Sequence, residues 1–182
     1  VTFKTSKTFT LGVAADSFND GSKDATAEAA GAVQVYSDFA ASVVVDGKIA
    51  ASLNDAIQPK FAVSTTGELT ATFAATKREL KEDYNMAKYG ASMDWNKDGV
   101  VKELYLQSAE FSKYVVGKTA QEVKDMPTQV VEGAGYVISA EEALLAAGCT
   151  IQITDFKEAV AKEAAEEMVK KFAEAGAKAE LK

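Results

Sequence analysis

The dipeptide Asp46-Gly47 most constrains the fold of this chain, because it separates two runs in which apolar and polar residues alternate. A two-residue turn of type I′ requires positive φ angles at both central positions, and Asp-Gly is one of the pairs that adopt them readily. The runs at 32–45 and 48–57 both have the two-residue period of a half-buried strand. The sequence therefore predicts an antiparallel hairpin of long strands.

Further alternating runs lie on both sides of this hairpin. Residues 9–13 predict a first strand, whereas residues 17–28 are rich in Asp, Ser, Gly and Ala, which is typical of a surface loop. Pro59 cannot donate to a sheet ladder and ends the hairpin, and residues 61–63 and 69–73 predict two more strands. We therefore expect the N-terminal part of the chain to form an antiparallel meander.

After residue 75 the spacing of apolar residues changes to three or four, which is typical of amphipathic helices. Residues 77–83 are highly charged and predict a short helix or turn whose side chains are solvated. Residues 102–116 predict an amphipathic helix that Gly117 ends. One stripe of this helix carries Leu104, Ser108, Phe111 and Val115.

Three segments have the pattern of a capping box, in which a side chain and a backbone amide at a helix start bond reciprocally. They are Thr119–Glu122, Ser139–Glu142 and Asp155–Glu158. The first predicts a brief helix that ends before Pro127, and the second predicts a helix to about residue 146. The third opens the last helix, in which apolar residues recur at four-residue steps from Phe156 to Phe172.

These patterns predict the α+β class, with an antiparallel sheet from the N-terminal half packed by helices from the C-terminal half. The whole chain, 1–182, is expected to form a single domain. Residues 1–75 would be mainly β and residues 76–182 mainly α, with a short strand at 150–153. Hydrophobic residues make up 47% of the chain, which is enough to bury a sizeable core.

The composition argues against several classes of function. The chain has no histidine, which removes the commonest general base and the Ser/His and Cys/His nucleophile pairs, so we do not expect an enzyme. Its single cysteine cannot form an internal disulfide. The net charge is −7 with acidic and basic residues interleaved, and this pattern argues against nucleic-acid binding.

The sequence also bears on cellular location. No apolar run approaches the roughly 20 residues that span a bilayer, and no signal segment opens the chain. Because Val1 is not a natural initiator, we expect a processed or trimmed product that has lost an export signal or a lipid anchor. Membrane attachment is then expected only through a lipid anchor that is absent from this chain.

The segment 94–99, Asp-Trp-Asn-Lys-Asp-Gly, matches the first half of a calcium loop, with oxygen ligands at alternate positions and a glycine at the sharp turn. The ligands would be the side chains of Asp94, Asn96 and Asp98 and the carbonyl of Val100. The twelfth position, where a bidentate Glu is expected, holds Tyr105. The segment therefore predicts either a structural calcium site or a polar turn that leads into the following helix.

The segment Gly148-Cys149-Thr150 is the candidate cofactor site. Gly148 gives the backbone freedom, and Thr150 offers a hydroxyl shortly before a helix N-terminus, where backbone amides favour a phosphate group. The alternative is purely structural: a glycine turn, a short strand and a capped helix.

Two parts of the chain resemble the FMN-binding domains of bacterial surface proteins. The strand from Gly31 and the Asp-Gly-Lys-Ile hairpin resemble the opening of those domains, and residues 147–150, Ala-Gly-Cys-Thr, resemble their Ser-Gly-Ala-Thr motif. In that family the threonine receives FMN through a phosphoester bond, so the resemblance implies Thr150 as the acceptor, beside Gly148 and Cys149. Ala147, Cys149 and Leu144 depart from the family's pattern, so the motif is degenerate.

The segments 77–86 and 114–119 resemble a group of Gram-positive gut-bacterial lipoproteins, and this resemblance extends over nearly the whole chain. It implies an exported, extracellular domain that is anchored at the cell surface. FMN would then serve flavin carriage or extracellular electron transfer. The alternative is a flavin-free binding or structural module of the cell surface, with a structural calcium; neither reading identifies a protein partner.

Overall fold

The computed structural model describes residues 9–72, 75–86, 101–132 and 136–162. Within these ranges the chain has the predicted α+β class. The strands are β1 (Phe9–Asn19), β2 (Gly31–Val45), β3 (Lys48–Ile57), β4 (Lys60–Val63), β5 (Leu69–Thr72), β6 (Thr128–Val130) and β7 (Val137–Ser139). The helices are α1 (Lys77–Leu80), α2 (Leu104–Tyr114), α3 (Ala120–Lys124), α4 (Glu142–Ala146) and α5 (154–162). A 3₁₀ turn, Lys81–Tyr84, directly follows α1.

The predicted hairpin is confirmed. Asp46 and Gly47 have φ angles of 53° and 77°, the positive values that a two-residue turn of this type requires. Strand β3 has the predicted bounds and pairs antiparallel with β2, with a register shift between Val43 and Val44. The local turn signal was therefore sufficient to set the pairing of these strands.

The predicted meander is wrong in one pairing, since β4 pairs with β2 and not with β3. Strand β2 has 15 residues and β3 only 10, so β3 covers only part of one edge of β2. Strand β4 covers residues 31–34 of that edge. Pro59 interrupts the edge because it has no N–H group, but its carbonyl still accepts from the Val35 amide at 3.2 Å. Strands β3 and β4 are therefore successive segments along the same edge of β2.

Strand β1 is longer than predicted. It continues through residues 14–19, which include the start of the predicted surface loop, and pairs with β2 as far as Asn19 opposite Val35. The polar composition of residues 17–19 did not indicate a strand, because the pairing is set by the length of β2, which is distant in sequence. The loop between these strands therefore begins at residue 20.

The core lies between one face of the sheet and the C-terminal helices. The predicted stripe of α2 is confirmed, since Leu104, Ser108, Phe111 and Val115 are all buried. The Phe111 ring lies 6.2 Å from the ring of Phe156, which α5 contributes to the same core. The even-numbered residues of β2 from 38 to 44 face this core, whereas Phe9, Leu11 and Val13 of β1 are exposed.

The predicted short strand at 150–153 is wrong. Ile151 and Ile153 are buried and Gln152 between them is exposed, which is the alternation of a strand. However, the segment forms no ladder: the Ile153 amide donates to the Val137 carbonyl at 3.3 Å, and the Thr150 amide donates to a side chain. It is an extended connection that carries two apolar side chains into the core.

The predicted capping boxes have different outcomes. Thr119 and Glu122 form the reciprocal bonds of a capping box at the start of α3, as predicted. Ser139 does not cap a helix, because it belongs to β7, and its hydroxyl oxygen accepts from the Glu141 amide at 3.1 Å. Asp155 is not a cap either, because α5 already begins at residue 154. The predicted continuation of this last helix beyond 162 lies outside the described residues.

Candidate functional site

A cavity of about 560 Å³ lies between the sheet, α1 and the start of α5, and this volume is typical of small-molecule sites. Its walls combine aromatic rings, three carboxyl groups, one ammonium group and one threonine hydroxyl. The residues that carry these groups are Phe18, Tyr36, Tyr84, Tyr136, Phe156, Asp20, Asp38, Asp155, Lys77 and Thr150. A cavity with aromatic walls and a few convergent polar groups is typical of a ligand-binding site.

The side chain of Lys77 is the least expected part of this cavity. The prediction of a solvated charged segment is wrong for Lys77, which is only 3% exposed, although Glu79 and Lys81 are exposed. Its ammonium nitrogen lies 3.9 Å from the centre of the Tyr36 ring and 4.7 Å from that of the Tyr84 ring. Such cation–π contacts partly compensate for the loss of water around the charge.

Local hydrogen bonds hold Lys77 at this place. Thr76 and Glu79 form a capping box at the start of α1, which sequence reasoning had not predicted. The buried carboxylate of Asp55 on β3 accepts from the Arg78 amide at 3.0 Å and thereby ties α1 to the sheet. The first residue of α1 is consequently directed inward.

The ammonium group of Lys77 has no hydrogen-bond acceptor and no ion-pair partner among the residues that the structure describes. Burial lowers its pKa to about 8, against the opposing effects of Asp38, Asp20 and Asp55. The side chain is therefore mostly charged at neutral pH, and its N–H donors face the cavity.

Two carboxyl groups that line the same cavity interact with each other. Asp38 of β2 is 3% exposed, and burial, a hydrogen bond with Asp155 of α5 and the charge of that carboxyl raise the pKa of Asp38 to about 8. Two carboxyl groups can bond in this way only when they share a proton. Asp20 is held separately, because its carboxylate accepts from Gln34 at 2.8 Å and also from Gln58.

Tyr36 forms part of a flat aromatic wall. Its ring stacks with Phe18 of β1 at a centroid distance of 5.2 Å and an interplanar angle of 20°. Burial, followed by the charge of Asp38, raises the pKa of the Tyr36 phenol, which therefore stays neutral in the folded protein. The Tyr36 ring thus contacts both Phe18 and the Lys77 ammonium group, and the two rings give the cavity an apolar side.

Of the three residues predicted to bind a cofactor, Thr150 lines the cavity. Its amide donates to Oε1 of Gln107 at 2.7 Å, and its hydroxyl donates to the same oxygen at 3.4 Å. Gln107 is buried in α2, where its own amide group donates to the Lys102 carbonyl. The backbone of Thr150 is therefore fixed by α2 beside the cavity.

Gly148 and Cys149 lie outside the cavity lining. Gly148 has a φ of +75°, and its amide donates to the Leu145 carbonyl where α4 ends. Cys149 is fully buried, and burial raises the pKa of its thiol to about 12. These two residues consequently position Thr150 and do not themselves face a ligand.

The predicted calcium ligands, Asp94, Asn96, Asp98 and Val100, lie outside the described residues. Within the described ranges, no group of three or more acidic, cysteine or histidine side chains is arranged to hold a metal ion. No helix among the described residues has both the length and the apolar character needed to cross a membrane.

The chain matches no protein-family model, no curated protein and no solved structure.

Proposed function

We propose that this domain binds FMN in the cavity described above and serves flavin carriage or extracellular electron transfer. The single observation that carries the proposal is the cavity of about 560 Å³, which has stacked aromatic rings on one side and Thr150 in its wall. When bound, the flavin ring would supply the redox chemistry, and the protein would bind and orient it.

The residues that line the cavity fit a flavin ring in several respects. The rings of Tyr36 and Phe18, which stack on each other, give the cavity an apolar side against which a tricyclic ring can pack. Lys77 provides N–H donors, and Thr150 provides the hydroxyl that the resemblance implies as the attachment point of the phosphate. Three carboxyl groups also line the cavity, so we propose that the phosphate is held on the side of Thr150, away from them.

Location and partners depend on the resemblance to surface lipoproteins alone. We propose an exported domain that is held at the cell surface by a lipid anchor and does not bind nucleic acid. The domain would act as a binding module and not as an enzyme in its own right. A lipoprotein of this kind would pass electrons to or from another surface component through the flavin.

The proposal is tested by titrating the purified protein with FMN and by measuring its mass after coexpression with a flavin transferase. We expect one FMN per chain, and after coexpression a mass increase on the peptide that contains Thr150. Thr150→Val, which removes the hydroxyl with little change of shape, should abolish attachment. Thr128→Val, which alters an exposed threonine of β6, is the matched control. A protein of unmodified mass that also fails to bind free FMN contradicts the proposal.

A second candidate function is a surface module that holds a ligand other than flavin without a covalent bond. The observation that favours it is the contact of Thr150 with Gln107, because the Thr150 hydroxyl already has an acceptor inside the protein. Unmodified mass together with binding of a non-flavin ligand in the same cavity would support this function.

The second candidate function, the flavin-free surface module, includes a structural calcium ion. It would be held by Asp94, Asn96, Asp98 and Val100, which are oxygen donors in the order that a calcium loop requires. A melting temperature that rises with calcium and no longer responds in Asp98→Ala would support the site. An identical melting temperature with calcium and with chelator contradicts it.

A further inference from the structure

We propose that Lys77 and the Asp38–Asp155 pair recognise the polar edge of a neutral heteroaromatic ring that carries a carbonyl oxygen beside an N–H group. This inference deepens the proposed function, because the flavin ring has such an edge. It also names the wider class of lactam and imide rings, which includes pteridines and uracil. In this arrangement Lys77 donates to the carbonyl oxygen, and the carboxyl pair accepts from the N–H group.

The ammonium group of Lys77 lies in the cavity without an acceptor from the described residues. Lys77 is 3% exposed and lines the cavity, yet no described residue accepts a hydrogen bond from it. The rings of Tyr36 and Tyr84 attract its charge but leave its N–H donors unsatisfied by any strong acceptor. Oδ1 of Asn54 is the one fully buried side-chain atom without a partner among the described residues, so the ammonium nitrogen of Lys77 is open to the cavity, where an acceptor atom of a ligand can replace water.

The opposite charges in the cavity are near one another but are not in contact. Lys77 and Asp38 affect each other's pKa, which places them near one another, but they do not form an ion pair within 4.0 Å. A donor and an acceptor thus face the same cavity without direct contact. Adjacent carbonyl and N–H groups on one ring edge can bond to both at once.

The net charge of the cavity favours a neutral group beside Lys77. Three acidic residues and one lysine line it, and the raised pKa of Asp38, about 8, keeps that carboxyl group mostly protonated at neutral pH. One negative charge therefore remains in excess at neutral pH. An anionic group beside Lys77 would be attracted by its ammonium group but repelled by Asp20 and by the carboxyl pair, whereas the neutral edge of a ring is not repelled.

The walls of the cavity are aromatic on one side. Tyr36 and Phe18 are stacked at 5.2 Å, and the centre of the Tyr84 ring lies 4.7 Å from the Lys77 ammonium nitrogen. Aromatic walls favour a planar ring, because contact with them buries its apolar surface. Shape and polar groups therefore indicate the same class of ligand.

The experiment compares lumiflavin with N3-methyl-lumiflavin, in which the N–H donor is blocked, by calorimetric titration of the full chain. Lumazine and uridine are included because they have the same edge on smaller rings. We expect N3-methylation to weaken binding at least about tenfold, since a tenfold change corresponds to the loss of one hydrogen bond to a charged group. This comparison uses the wild-type protein and does not depend on how any variant folds.

Variants of Lys77 and Asp38 then show which residue bonds to which group of the ring edge. Lys77→Met should weaken lumiflavin binding at least about tenfold, by the same reasoning, and Asp38→Asn should reduce the discrimination against N3-methyl-lumiflavin. Lys81→Met, at an exposed lysine in the adjacent 3₁₀ turn, should leave the affinity unchanged. Circular dichroism of each variant establishes that the fold is retained.

The possible outcomes separate this inference from the flavin proposal. Equal affinities for lumiflavin and its N3-methyl derivative overturn the inference while flavin binding stands. Binding of lumazine or uridine, but not of any flavin, in a manner that depends on Lys77 supports the inference and contradicts the flavin proposal. Failure of all four probes to bind overturns the inference.

Discussion

The ammonium nitrogen of Lys77 lies 3.9 Å from the centre of the Tyr36 ring, although Lys77 belongs to a highly charged segment of the sequence. The contact joins α1 to β2 across the cavity and leaves the N–H donors of Lys77 directed into it. A buried charge of this kind lowers the stability of the fold, and we infer that it is retained for binding.

Replacement of Lys77 by Met should raise the free energy of unfolding of the ligand-free protein. The folded-state pKa of Lys77 is about 8, against 10.5 in the unfolded chain, so the buried charge costs on the order of 3 kcal/mol at neutral pH. Because the unfolded chain binds more protons between these values, wild-type stability rises there as the pH increases. The advantage of Lys77→Met should therefore shrink from pH 8 to pH 10.5 in urea titrations, and a constant difference contradicts the assigned cause.

Asp38→Asn should reveal the opposite pH dependence. The pKa of Asp38 is raised from 3.8 to about 8, so the folded protein keeps a proton that the unfolded chain releases. The contribution of this proton to the free energy of unfolding is complete below pH 3.8 and is lost as the pH rises to about 8. The stability of wild type relative to Asp38→Asn should fall over that range, and parallel curves would show that Asp38 titrates normally.

Gly148→Ala should destabilise the protein more than Gly47→Ala does. Both glycines have a positive φ, of +75° and +77°, which costs an alanine about 1 kcal/mol or more. At residue 47 an added Cβ meets nothing within 4 Å, but at residue 148 it lies 3.3 Å from the Lys102 side chain. Urea denaturation of both variants measures the difference, and equal losses would mean that Lys102 adjusts freely.

Gln107→Leu should destabilise the protein by about 2 kcal/mol, because the partly buried Thr150 amide loses its acceptor. Thr150→Val should have a much smaller effect, since the Thr150 hydroxyl bond to Gln107 is long, at 3.4 Å. Thermal and urea unfolding of the two variants test this ranking. A larger loss for Thr150→Val would show that the hydroxyl has a structural role.

The Cys149 thiol should be unreactive in the native protein. It is fully buried, and burial raises its pKa to about 12, so the thiolate fraction at neutral pH is negligible. We expect reaction with Ellman's reagent only after addition of urea, in proportion to the unfolded fraction. Rapid reaction of the folded protein would be inconsistent with the packing described for Cys149.

The parts of the fold that could be predicted from the sequence are those that short segments determine. Asp46-Gly47 defines a turn by its own backbone preferences, and Thr119 with Glu122 defines a helix start within four residues. The extension of β1 to Asn19 and the pairing of β4 with β2 could not be predicted in this way. They depend on the length of β2 and therefore on pairing between distant residues.

The candidate site was predicted only in part. The sequence indicated Thr150, but it gave no sign of the aromatic and charged groups that meet it in the cavity. The alternation in β2 is apolar on both faces, with Val43 on one and Val44 on the other, so it could not show that Asp38 faces inward. Lys77 was missed because the charges around it indicate a solvated segment, and its burial depends on the capping box at Thr76 and on Asp55.

The most direct test of the ligand site is a lumiflavin titration followed by NMR of protein with isotope-labelled lysine and threonine side chains. We expect saturating lumiflavin to shift the signals of Lys77 and Thr150, while Lys113, which pairs with Glu110 on the surface, stays unchanged. Lumiflavin that binds without affecting the Lys77 signals, or that shifts only residues outside the cavity, would contradict the assignment of this cavity as the binding site.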